Sequence, residues 1–97
     1  MEISIKRGEI FFNGDFILEN GEEIKDSLSK MLKKIKTKEV SLNLIDIEEI
    51  DSAGLQLILS FCKTMKKQGI HFFVAKLNDS VRETLNISGL GKYLNLT

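Results

Sequence analysis

The sequence predicts an α/β domain built around a small mixed sheet, and three observations carry that expectation. Apolar residues recur first at period two, then at the 3.6-residue period of a helix, and the two periods alternate along the chain. The opening pair of strands reads as a hairpin. Each later strand is separated from the next by a helix, the pattern of right-handed βαβ crossovers.

Ile3 and Ile5 share one face, Gly8 supplies a turn, and Ile10 and Phe12 follow in a second run, which makes a β-hairpin. Asn13-Gly14-Asp15 breaks or bends that second strand, and Phe16-Ile17-Leu18 continues the apolar stretch. From Asn20 the period changes: Ile24, Leu28, Met31, Leu32 and Ile35 form the core-facing stripe of a helix. Its acids come first (Glu19, Glu22, Glu23, Asp26) and its lysines last (Lys30 to Lys38), which complements the helix dipole.

Val40, Leu42 and Leu44 alternate with Ser41 and Asn43 as a strand, and Asp46 to Asp51 reads as a short connection. A second helix begins near Ser52. At about 100° per residue, Leu55, Leu57, Ile58, Leu59, Phe61, Cys62 and Met65 fill an arc of about 200°. Gln56, Ser60, Lys63, Thr64 and Lys67 form the wet strip, and Gly69 ends the helix. Ile70 to Ala75 reads as a buried strand, and Ser80-Val81-Arg82-Glu83 as a capping box opening a short helix through about Asn86. Ser88-Gly89-Leu90-Gly91 breaks it, with Tyr93, Leu94 and Leu96 as a last short strand.

A chain of 97 residues is one domain, residues 1–97. With 14 basic and 14 acidic residues the net charge is zero, so nothing draws it generally to nucleic acid or to an anionic membrane. No run of about 18 apolar residues is present, so membrane insertion is not expected. The start, Met1-Glu2-Ile3-Ser4-Ile5, has no secretory pattern, and a single cysteine rules out an internal disulfide; a cytoplasmic protein is expected. One histidine excludes HExxH chemistry and two-histidine metal sites, and neither a phosphate loop nor GxGxxG occurs. The composition favours a binding or switching module over an enzyme.

The informative stretch runs from Asn43 to Leu57. A strand ends, an acidic loop follows, and Ser52 stands at the mouth of a helix, beyond a strand's carboxyl end, where α/β sheets usually meet their ligands. On the helical wheel Ser52 projects near Gln56 and Lys63, on the wet side. A phosphate there would meet the positive end of the helix dipole and add about −1.5 to −2 charges beside Asp46, Glu48, Glu49 and Asp51. Ser or Asp before a helix is also the ordinary N-cap, and Gly54 also fits close packing of helix on strand. The residues alone reach as far as an accessible serine.

Ile50-Asp51-Ser52-Ala53-Gly54-Leu55 resembles the Asp-Ser-(Ser/Thr/Ala)-Gly-Leu signature of STAS domains, the anti-sigma factor antagonist family. Gly14, Leu42-Asn43-Leu44, Gly69, Ser80-Val81-Arg82 and Ser88-Gly89-Leu90 fall in the family's order, so the resemblance spans essentially the whole chain. It implies a sheet of four or five strands with helices mainly on one face. It also implies a non-catalytic switch that binds a serine-kinase/anti-sigma partner until Ser52 is phosphorylated. Asp51, Ser52, Ala53, Gly54, Gln56 and Lys63 are then the expected partner-binding residues. Three departures mark this chain: Ile17 where many antagonists carry aspartate, Ala53 at the second motif hydroxyl, and an end at Thr97 where a final helix is common. The form Asp-Ser-Ala-Gly-Leu-Gln is similar also to STAS adaptors of chemotaxis or lipid-transport complexes. That is the alternative reading, without obligatory phosphorylation. Nucleotide binding, a third reading, finds no phosphate loop here.

Other groups point to less. Asp46, Glu48, Glu49 and Asp51 lack EF-hand spacing, so a solvated acidic loop is expected and no metal. Cys62 lies in the apolar arc as a small hydrophobe. His71 is structural or merely exposed, and no cofactor is implied.

Overall fold

The fold is that of a computed structural model, which describes residues 1–94. Its order is β1 (Glu2–Lys6), β2 (Glu9–Phe16), α1 (Gly21–Lys34), β3 (Glu39–Ile50), α2 (Ser52–Lys67), β4 (His71–Leu77) and α3 (Asp79–Ser88). Short 3₁₀ turns cover Leu18–Asn20 and Gly91–Tyr93. The sheet order is β1-β2-β3-β4, with β1 antiparallel to β2 and the other pairs parallel.

The hairpin closes through Arg7 and Gly8, whose φ values of 53° and 79° suit a two-residue turn of the I′ kind. Ile3 pairs with Phe12 and Ile5 with Ile10, placing all four on the covered face. The bend expected at Asn13-Gly14-Asp15 is a pair of register shifts against β3, and the strand continues to Phe16. Gly14 has a φ of 99°, and a Cβ on it would come within 2.9 Å of the Met1 Cα.

Both crossovers, β2-α1-β3 and β3-α2-β4, lie on the same face. One cluster therefore gathers Ile24, Leu28 and Met31 of α1, the buried arc of α2, and Val81 and Leu85 of α3 over Phe12, Phe16, Leu42, Leu44 and Val74. Phe12 and Phe16 meet edge to face, their ring centroids 5.7 Å apart. Of the predicted arc of α2 only Leu57 is half-buried; the rest is buried, and Gln56, Ser60, Lys63 and Lys67 are exposed as expected, whereas Thr64 is half-buried. Beyond Gln68, Gly69 adopts φ 78°, and the Ile70 N–H donates to Met65 O while the Gly69 N–H donates to Lys66 O, a Schellman closure.

Four expectations need correction. Asp46 to Ile50 is not a connection but the second half of β3, paired with β2 from Asn13–Asp46 to Phe16–Ile50. β4 has already ended opposite Leu44, so among the described residues no strand pairs with that side of the extension; Asp46, Glu48 and Glu49 stay wet while Ile47 is buried. β4 is buried on one face only, with Phe72 and Val74 inward and Ala75 exposed, because the helices cover one side. The N-cap of α3 is Asn78, not Ser80. Its Oδ1 accepts from the Val81 N–H, and its Nδ2 donates to Ile45 O and Ile47 O, tying α3 to the β3 extension. Gly91–Tyr93 is a 3₁₀ turn rather than strand; Leu94 is buried, and Leu96 lies outside the described residues. Among the described residues no helix is long and apolar enough to cross a membrane.

Candidate partner-binding site

The carboxyl ends of β2 and β3 bring two chain segments together where α2 begins. Asp51, in extended conformation, is the N-cap of α2: Oδ1 accepts from the Gly54 N–H at 2.9 Å. Its other oxygen, Oδ2, accepts from the Leu18 N–H at 3.0 Å, and its own N–H donates to Phe16 O at 3.3 Å. Asp51 is thus a clasp between the β2–α1 connection and the mouth of α2. The Gly54 N–H, more than the Leu18 N–H, holds its carboxyl below the usual aspartate range, because both bonds favour the charged form.

Gly54 is buried against the Phe16 backbone so closely that a Cβ on it would overlap the Phe16 carbonyl. The glycine of the motif is therefore a packing requirement that lets α2 start directly over β2. Ser52, the first residue of α2, is exposed, and among the described residues its hydroxyl makes no hydrogen bond. Capping falls to Asp51, which leaves the Ser52 hydroxyl without that role.

Ala53 is half-buried and lines a depression of ≈ 500 Å³ with Leu18, Glu22, Lys25, Gln56 and Leu57. Gln56 is one turn from Ser52 on the same exposed strip. Lys63 is on that strip too, but eleven residues at about 1.5 Å each put it roughly 16 Å along the axis, away from the mouth. The structure therefore brings Asp51, Ser52, Ala53, Gly54 and Gln56 together and leaves Lys63 apart. The carboxylates of Asp46, Glu48, Glu49 and Asp51 do not converge; no group of three or more His, Cys, Asp or Glu able to hold a metal stands among the described residues. Cys62 is buried, and burial pushes its thiol up to about 12. His71 is exposed at the start of β4.

One neighbour of the site belongs to no motif. Leu18 is 71% exposed, held by the Asp51 carboxylate at the rim of the Ala53 depression. Its only sequence signal is that Phe16-Ile17-Leu18 outruns the alternation of the strand before it.

The two ends of the domain differ in sign. Parallel strands and dipole-matched helices put Glu19, Glu22, Asp46, Glu48, Glu49 and Asp79 at the Ser52 end and Lys33, Lys34, Lys66 and Lys67 at the other.

A family model of the STAS domain matches residues 4–97. Among solved structures, the chain resembles an anti-sigma factor antagonist from Mycobacterium paratuberculosis at 15% identity, covering 98% of this chain and 81% of that one, with a TM-score of 0.77. A putative anti-sigma factor antagonist from Thermotoga maritima matches at 24% identity over 98% and 83%, TM-score 0.72. The Bacillus cell fate determinant SpoIIAA in its phosphorylated form matches at 17% identity over 99% and 89%, TM-score 0.64. At these identities the likeness is one of fold.

Proposed function

We propose that this chain, which belongs to the STAS domain family, is a non-catalytic switch protein of the anti-sigma factor antagonist type, working in the cytoplasm. It binds a serine-kinase/anti-sigma partner through Ser52, Ala53, Gln56 and the exposed Leu18, with Asp51 and Gly54 shaping the surface. The observation that carries this reading is the division of labour at the mouth of α2. Asp51 does the capping, so the Ser52 hydroxyl is exposed and bonds nothing among the described residues.

The partner's ATP supplies the phosphoryl group: the Ser52 Oγ–P bond forms as the bond to ADP breaks, and the hydroxyl proton passes to a base on the kinase. The product dianion sits at the first turn of α2, where the helix dipole tolerates it, so the fold survives. The same charge, added beside Asp51 and the acidic end of β3, repels a partner surface adapted to the unmodified hydroxyl.

Intact mass measurement and peptide mapping of the protein from its native cell test the proposal. Phosphate on the peptide containing Ser52 under some growth condition supports it. A Ser52 that stays unmodified under every condition overturns the switch and leaves the alternative, an adaptor of a chemotaxis or transport complex using the same surface.

A further inference from the structure

We infer that the groove between α2, from Gln56 to Lys66, and the segment 90–93 is a docking site for an acidic, partly apolar segment of a protein partner. This goes beyond the Ser52 reading and does not depend on it: the groove meets that surface at Gln56, but its lysines and its apolar floor lie beyond it.

The groove has two parts. A cavity of ≈ 310 Å³ has an apolar floor of Leu59, Ile70 and Phe72 and a rim of Lys63, Lys66, Lys92 and Tyr93. A second depression of ≈ 400 Å³ runs on towards Gln56 and shares Leu59, Lys63 and Tyr93 with the first. Gln56 to Lys66 spans about 15 Å of helix, which matches four or five extended residues at about 3.3 Å each.

The charge is one-sided. Among the described residues no aspartate or glutamate lines either part, and none of the three lysines pairs with a carboxylate. Lys66 sits in the last turn of α2, where a cation also answers the helix dipole, but Lys63 lies earlier and Lys92 comes from another element. The Lys92 ammonium lies over the Tyr93 ring, 5.3 Å from its centroid, which holds the charge at the rim. Three lysines around an apolar floor favour carboxylates spaced by aliphatic side chains. A small free anion would satisfy the rim and leave the floor wet.

The test is an amide-resolved NMR titration of the full chain with a blocked Glu-Leu-Glu-Leu-Glu peptide at low ionic strength. Saturable shifts confined to the amides of Gln56–Lys66, His71, Phe72, Lys92 and Tyr93 are expected. Lys66→Glu combined with Lys92→Glu should weaken the peptide about tenfold or more, with the remaining spectrum unchanged as the check on folding. Lys33→Glu combined with Lys34→Glu should leave its affinity intact. The proposal is overturned if no saturable shift appears or if the shifts follow the lysines of α1 instead. Inorganic phosphate producing the same shifts at equal affinity would overturn it too, since the site would then be one for small anions.

Discussion

Gly54 and Phe16 touch backbone to backbone: the Phe16 carbonyl occupies the space that a Cβ on residue 54 would need. That contact sets α2 over the end of β2 and thereby sets where Ser52 emerges. Gly54→Ala should force the mouth of α2 away from the sheet and cost about 1–3 kcal/mol or more. Gly21→Ala makes the comparison, since Gly21 is helical with open space around it, and its effect should be neutral or stabilising by up to about 1 kcal/mol. Urea unfolding of both variants checks the contrast; equal effects would remove the contact from the account.

Asp51→Ala removes an N-cap and the bond to the Leu18 N–H, and it should lower stability by about 1–2 kcal/mol. The Asp51 carboxyl is held below its ordinary value of 3.8 in the folded state. Its contribution is therefore complete above that value and is lost as the pH falls through the lower, folded-state value. The stability gap between wild type and Asp51→Ala, measured from neutral pH downwards, should be flat and then shrink only below about pH 4.

Ser52→Ala should change stability by less than about 0.5 kcal/mol, because the hydroxyl is exposed and bonds nothing among the described residues. Ser52→Asp places a carboxylate in the first turn of α2 and should be neutral or stabilising by about 0.3–1 kcal/mol. Binding to the proposed kinase partner should nevertheless be lost in Ser52→Asp. Calorimetry on the variant with that partner reads the difference, and unaltered affinity would sink the switch.

Asn78 caps α3 and clamps two carbonyls of β3 at once. Asn78→Ala should cost about 2–3 kcal/mol, more than a cap alone, since Ile45 O and Ile47 O each lose a donor. Asn78→Ser should recover only the capping part, which equilibrium unfolding of the two variants would separate.

Burial that pushes the Cys62 thiol up to about 12 leaves almost no thiolate near neutral pH. The native protein should resist a thiol-specific reagent at pH 8, and labelling should follow unfolding. Rapid labelling of the folded chain would contradict the packing of Cys62.

Legibility varied with how local each feature is. The stripe of α1, the arc of α2 and the Gly8 and Gly69 turns were readable because period and turn chemistry are local. The second half of β3 was not: Asp46, Glu48 and Glu49 look like loop residues until β4 is seen to stop opposite Leu44, which leaves them a wet edge. Ser80 has the box spacing of a cap for α3. Asn78 takes the role because it can also reach the carbonyls of β3, a partner 31 residues away.

By itself, the sequence determined the alternation of strands and helices, the amphipathic faces, and a motif placing a serine beside an aspartate at a helix mouth. Those properties depend on neighbours within one or two turns. Only the tertiary structure decided that Asp51 caps and leaves Ser52 exposed, that Gly54 is demanded by Phe16, and that Leu18 joins the site. It also decided that a chain of zero net charge is acidic at one end and basic at the other. The physical reason is that parallel strands and crossover helices all begin and end together, so charges balanced along the chain are sorted in space.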